Sequence, residues 1–374
     1  MLKSVHLTLL MGPLVPVPVP PEVVDALLGA QVTVTSGERS GFQLSFAVSK
    51  GSLIGSVFLP AGFFDPPVRV ILIATVNAFP NVLMDGIITR QEFQPSDTPG
   101  QSTLTVTGQD VSVMMGLIEL EGIPFPAMTY EIQVGLILAK YLIYGIVPLI
   151  IPTPFQDLPN PLEQIKFQKG TDLAHIQELA KKVGYTFYID PGPLPGMNLA
   201  YFGPEIRIGI PQPALNVNMD ALSNVESLSF SYDGVSRTNL ILFVQEPITK
   251  LNIPIPVPEI SPLKPPLALK PAPALKFRVL KDTVKQSPQA AAGEAMAAAS
   301  DSADAVTATG SLDVLRYGHV LKARGLVGVR GAGLAYDGLY YVKSVTHNIK
   351  RGEYKQSFNL ARNGLIPLTP LVPT

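Results

Sequence analysis

The chain has no cysteine in its 374 residues. That absence excludes disulfides, thiolate metal sites and a cysteine nucleophile, and it suits synthesis in a reducing cytoplasm. Charge is scarce as well, at 15% of residues against 47% hydrophobic. A surface this poor in charge implies that much of it is covered by partners, a membrane being the other cover available. The net charge of −1 supplies no field to draw in a polyanion, so nucleic-acid binding is not expected. Motifs that carry chemistry are missing too: no HExxH, GxSxG, Walker A or paired-cysteine pattern occurs. His6, His175, His319 and His347 stand apart, and a lone histidine is neither a ligand set nor an oriented base. His175 falls beside the apolar stripe of its helix, where solvation is the default expectation. Nothing in the spacing of Asp85, Asp110 and Asp190 brings them together. Gly325, Gly328, Gly331 and Gly333 lack the lysine–serine end of a phosphate loop, so a glycine-bearing loop and strand is expected. The chain is therefore expected to be no enzyme and to need no cofactor or metal.

Long uninterrupted apolar runs are also few. Residues 1–21 hold one lysine, an apolar run cut at Gly12-Pro13 and no small-residue cleavage site, so no secretory leader is expected. The valine–proline alternation over 13–21 predicts an extended segment or an edge strand. Residues 132–151 are long enough to span a bilayer, but Lys140 sits near their middle and Gly145 and Pro148 interrupt them. The expectation is a buried helix over 130–144, capped by Thr129 and ended by Gly145, with no stable membrane insertion.

What is present is mostly strand grammar. Over residues 5–48 apolar side chains alternate with polar ones, and Ser36-Gly37-Glu38 and Ser40-Gly41 supply turns. Glu22 begins a short helical connector. Residues 68–74 are apolar apart from Arg69 and predict a central strand, while 85–93 and 101–107 predict a pair. Residues 222–244 return to the same grammar, with a turn at Asp233-Gly234. Residues 252–275 are proline-rich and predict a semi-rigid strap, and the alanine-rich 289–309 fits a helix or a linker equally. Asp85-Gly86 and Asp337-Gly338 each open a strand–loop–strand unit, which suggests an internal duplication.

Residues 171–203 carry the clearest helix signal. Thr171 or Asp172 can cap a first turn. Leu173, Ile176, Leu179, Ala180 and Val183 share one face, and Gly184 can end the helix. Strands follow at 185–189 and 198–202, across a turn at Asp190-Pro191-Gly192. Leu173, Ile176 and Leu179 are thus expected to be core. The wording DLAHIQELAKKVGYTFYIDPG resembles the middle of the phage late control gene D family, the baseplate hub proteins of contractile tails related to the hub half of VgrG spikes. The resemblance returns over 310–365, from GSLDVLRYGHV to NLARNGL, and more weakly in QVTVTSGERSGFQLSFAV over 31–48.

The resemblance implies a mainly β chain with α+β character: two tube-like antiparallel β-barrel domains, at 1–118 and 222–374, flanking a mixed intermediate domain at 119–221. It implies a structural homotrimer that adapts a sixfold inner tube to a threefold spike. VgrG-type chains carry a C-terminal spike after the hub, whereas this sequence stops at Thr374, so the spike is expected to be a separate trimeric protein. Other partners would be inner tube or tube-initiator proteins and further baseplate proteins. The particle would assemble in the bacterial cytoplasm as part of a phage tail or a phage-derived injection system. Two competing readings are a membrane-associated β-barrel or pore, favoured by the low charge and the apolar run over 132–151, and a tail-borne cell-wall hydrolase, which needs an assembled acidic or histidine site. Charge is uneven along the chain, with a balance of −4 over residues 1–120 and +6 over 311–362.

Overall fold

The computed structural model describes residues 5–49, 51–98, 101–154, 165–245, 252–256, 264–280, 293, 295, 297–298 and 304–369. The fold is mainly β, built on one thirteen-stranded sheet. Ten of its strands form two blocks of five. In chain order the first block comprises Leu27–Thr35, Gly41–Val48, Arg69–Val76, Phe79–Gln94 and Ser102–Asp110. The second comprises Ser227–Tyr232, Val306–Asp313, Leu326–Arg330, Gly338–Lys350 and Glu353–Arg362. In both blocks the hydrogen-bonded order is first, second, fifth, fourth, third, antiparallel throughout.

Finer features repeat too. A helical turn separates second and third strands in each block, at Ile54–Phe58 and at Val314–Tyr317. Each fourth strand carries a bulge against the fifth, between Ile88 and Arg90 in one and between Val342 and Ser344 in the other. The blocks join through the backbone, the first strand of the first block pairing with the fourth strand of the second from Thr35↔Ser344 to Gly29↔Lys350. A strand register with one buried face is strongly specified, because a one-residue slip would expose every inward side chain.

That buried face is continuous. One apolar core runs from Leu9, Leu44 and Phe46 to Leu312, Val345 and Phe358 across both blocks. A second core lies under the helices Tyr130–Ala139 and Asp172–Lys182 and includes Val134, Ile146, Leu173, Ile176, Leu179 and Phe187. The first core draws on residues between Leu9 and Val106 and between Leu215 and Leu360, and the second on residues between Ile87 and Phe202.

The Asp172–Lys182 helix is capped by the Thr171 side chain, which accepts from the Ala174 N–H at 3.2 Å. It packs on the hairpin of Thr186–Pro191 and Asn198–Gly203, to which Ile146–Ile150 adds in parallel. The Tyr130–Ala139 helix starts at Thr129 as expected but ends at Ala139, and a tight turn over Leu142–Tyr144 carries the chain to Gly145, whose φ is +71°. Among the described residues no helix is long and apolar enough to cross a membrane.

Three expectations need correction. The Asp233-Gly234 turn does not fold Ser227–Tyr232 back on Thr238–Gln245. Ser227–Tyr232 pairs instead with Val306–Asp313, while Thr238–Gln245 joins a separate three-stranded sheet. A turn dipeptide allows a hairpin but cannot compete with a partner that buries Leu228 and Phe230 against the main core. The proline-rich stretch is not only a strap. Asn252–Pro256 is an edge strand of that small sheet and Ala268–Pro271 pairs with Gly364–Pro367. Alternate residues of an edge strand need no ladder donor, so Pro254 and Pro256 fit there. His175 is buried rather than solvated, its Nε2 lying 3.3 Å from Gln133 Oε1 and its ring stacked on Phe125. The alanine-rich expectation falls largely outside the described residues, and from Val306 the chain is strand.

Candidate functional site: arginine junctions and uncovered edges

Arg69 opens the third strand of the first block and is the one charged residue of that strand. It is buried, and burial of a charge is tolerable only with full pairing. Its Nε donates to Asp85 Oδ1 at 2.7 Å and its Nη2 to Asp85 Oδ2 at 2.6 Å. The remaining donors reach the carbonyls of Leu14, Tyr144 and Gly196 at 3.0, 2.8 and 3.2 Å. Asn198 Nδ2 completes the cluster, donating to Asp85 Oδ2 at 2.9 Å and to the Tyr144 carbonyl at 3.1 Å. This fork fastens the first block to the hairpin. Beside it, a Cβ on Gly86 would meet the Gln109 carbonyl at 2.4 Å and the Phe42 ring at 2.9 Å, so the close aromatic packing needs glycine.

Arg324 performs the corresponding task for the second block, two residues before the third strand. Its Nη1 donates to Asp190 Oδ1. Its Nη2 donates to the Thr35 carbonyl at 2.8 Å and to Ser40 Oγ at 3.1 Å, and the guanidinium lies 4.0 Å over the Tyr188 ring. Here the carboxylate is 40% exposed, whereas Asp85 is fully buried. Asp190 and Asn198 sit on adjoining rungs of the hairpin, where Asp190 pairs with Leu199 and Pro191 with Asn198. The two arginines therefore hold one hairpin from two blocks. Next to Arg324, Asp110 accepts from the Ser40 and Ser112 N–H groups at 2.8 and 2.9 Å, and burial pushes its carboxyl up.

Two further clusters tie down the second block. Arg207 forks onto Asp304 with two contacts of 2.7 Å and also meets Glu205 at 3.0 Å, with Lys343 3.1 Å from Asp304. Burial alone would raise the Asp304 carboxyl, but the Arg207 hydrogen bonds and charge override it and hold the group well below the usual carboxylate range. His347 is buried with Nδ1 2.7 Å from Tyr354 Oη and 3.2 Å from Gln356 Nε2, and burial pushes the imidazole down to about 3. It stays neutral, packed between Tyr354 and Gln356. Among the described residues no three His, Asp or Glu side chains gather as a metal site.

The residues singled out in sequence fall as follows. Leu173, Ile176 and Leu179 are each at most 2% exposed. Asp85-Gly86 lies mid-strand, whereas Asp337 precedes its strand and accepts from the Ala332 N–H at 2.7 Å. Gly338 has φ +107°, and a Cβ there would lie 2.2 Å from Pro367. With the two bulges superposed, Ile88 falls on Val342 and Asp85 on Leu339. The two Asp-Gly pairs are therefore not equivalent positions, and the repeat lies in the ladder instead. Sequence spacing gives no sign of Asn198, Arg207 and Arg324 as clamps, whereas Arg69 stands out as the one charge in an apolar strand. Several large apolar side chains are uncovered, among them Phe79 at 74%, Ile208 at 75% and Ile210 at 97% exposure.

No protein-family model matches the chain and no curated protein matches it. Solved structures do. A tail protein from Neisseria meningitidis MC58 is 13% identical, with 97% of this chain and 98% of that one covered at a TM-score of 0.64. The 43 kDa tail protein of prophage MuSo2 from Shewanella oneidensis is 12% identical, with coverage of 96% and 99% and a TM-score of 0.62. A chain of the Francisella PdpA–VgrG complex is 7% identical, with coverage of 99% of this chain and 55% of that one and a TM-score of 0.61. The chain has the fold of these phage tail and VgrG proteins.

Proposed function

We propose that the chain is a non-enzymatic central hub of a contractile baseplate, in a phage tail or a phage-derived injection particle. The observation that carries this reading is the repeated five-strand block, two copies of which lie side by side in one sheet through Thr35↔Ser344 to Gly29↔Lys350. A homotrimer of such a chain offers six similar blocks to a sixfold tube and a threefold base to a trimeric spike. The likeness to phage tail proteins and to VgrG supports the same reading, as do the uncovered side chains Phe79, Ile208 and Ile210, which suit burial against tube, spike or other baseplate proteins. The first block belongs to residues 1–118, the helix–hairpin unit to 119–221 and the second block to 222–374. The two arginine clamps hold these three parts in one orientation. Assembly takes place in the bacterial cytoplasm. Native mass measurement with the spike and tube partners present is expected to give a species holding three chains, and a chain that stays monomeric beside them overturns the reading.

A further inference from the structure

Among the described residues, the ladder that joins the two blocks within the chain leaves a matching pair of edges unpaired. The fourth strand of the second block outruns its third strand. The overhang from Ser344 to Lys350 is covered by Leu27–Thr35 of the first block. The fourth strand of the first block also outruns its third strand, whose last ladder partner is Ile87. There residues 90–94 pair on one side with residues 103–107 and all are exposed, and on the other side no strand pairs with them among the described residues, although the Gln91 side chain donates to Asp65 Oδ1 at 2.7 Å. At the far end of the sheet, Ser227–Tyr232 is an edge strand among the described residues, although its counterpart Leu27–Thr35 is paired on both sides. An unpaired edge and an unpaired overhang of the same design are templates for strand addition.

We infer that the Ser227–Tyr232 strand of one copy adds to the overhang at residues 90–94 of the next copy, in the register that the in-chain junction already uses. This rests on the hub reading and specifies its subunit contact. The register follows from the ladders. The bulges place Ile88 on Val342, and their partners place Gly108 on Leu360. Two residues along the fifth strands, Val106 falls on Phe358, which places Leu44 on Gly310 and Ala30 on Leu228. The in-chain pairs Val34↔Val345, Thr33↔Thr346, Val32↔His347 and Gln31↔Asn348 then translate into Tyr232 opposite Gln91, Ser231 opposite Glu92, Phe230 opposite Phe93 and Ser229 opposite Gln94.

The side chains fit these roles. Thr33 and Thr346 share a hydrogen bond of 3.1 Å, and Gln31 donates to Asn348 at 3.0 Å. Serine opposite glutamate and serine opposite glutamine can make the same kind of contact. Val32 and His347 are buried, whereas their counterparts Phe230 and Phe93 are partly and largely exposed. The two rings would close the inner face of the new rung, where aromatic cross-strand pairs contribute most. A head-to-tail contact of this kind closes into a ring where its rotation divides a full turn, as a threefold hub requires, and runs on as a filament otherwise.

The absence of native cysteine makes the register directly testable. Full-length Glu92→Cys and Ser231→Cys variants, mixed and oxidised, should give a disulfide-linked dimer that neither variant forms alone. The double variant should ladder to three chains and stop. Glu92→Cys mixed with Ser229→Cys, two residues out of register, should cross-link at least about tenfold less. Phe93→Arg should reduce the trimer fraction while leaving the melting of the monomer unchanged. A trimer by native mass that cross-links equally in both registers, or that Phe93→Arg does not weaken, overturns this contact and leaves the hub reading intact. A chain that remains monomeric with its partners present overturns both.

Discussion

The two blocks share a strand order but differ widely in the link between their first and second strands. In the first, residues 36–40 link first and second strands, whereas in the second the link is residues 233–305. Loop closure grows only logarithmically, at about 0.6 kcal/mol per doubling, so the longer link is cheap beside the ladder it serves. The lesson is that inward-facing residues and their ladder register define the block, and the loops do not. The clamps differ in a second way. Arg69 meets a carboxylate sealed from water, and Arg324 meets one that reaches solvent.

Substitutions can break that contrast. Arg69→Ala strands the buried Asp85 carboxylate and should cost about 3–5 kcal/mol in denaturant unfolding. A loss below about 1 kcal/mol would mean that Asp85 is not sealed. Leu179→Ala opens the second core and should cost on the order of 2–5 kcal/mol, so an unchanged melting curve would place that helix face outside the core. Arg324→Ala should cost less, about 1–3 kcal/mol, because Asp190 can turn to water while the Thr35 carbonyl and Ser40 lose a donor. If it costs as much as Arg69→Ala, the difference in carboxylate exposure has no energetic meaning.

A pH series sharpens the comparison, because the counterpart of His347 in the first block is Phe93, which does not titrate. Unfolded histidine takes up a proton below about pH 6.5, while the buried imidazole resists until about 3. Stability should therefore fall as pH drops through that window, by up to about 1.4 kcal/mol per unit from this residue. His347→Gln should flatten the slope of urea midpoint against pH between 6.5 and 5.5, and an unchanged slope assigns the pH dependence to other groups. The smallest expected effect is on rate. The acidic balance over residues 1–120 and the basic balance over 311–362 would steer unlike blocks together, within a screening length of about 8 Å at physiological salt. Assembly followed by light scattering should slow as salt rises, and equal rates at low and high salt remove charge steering from the account.

Helix and hairpin over 171–203 were legible because their signals are local: a cap at Thr171, an apolar stripe at Leu173, Ile176 and Leu179, and a glycine stop. Strands such as 41–48 and 102–110 were legible through their alternation. The Asp-Gly pairs misled as markers of equivalent positions, since Asp85 serves an ion pair and Asp337 a turn. The Asp233-Gly234 turn misled for a related reason, because a turn preference is worth less than the core that a distant strand offers.

The sequence by itself determined the chemistry that is missing, the strand-rich class and the face of each amphipathic element, because these depend on residue type and on spacing within a few positions. Tertiary structure alone decided which arginines meet which carboxylates, that Ser227–Tyr232 pairs across more than seventy intervening residues with Val306–Asp313, and that two blocks continue one sheet through Leu27–Thr35. Those outcomes belong to long-range register, where many alternating strands are interchangeable by pattern. Only their joint packing, which buries one face of each strand against a shared core, selects a single register among them.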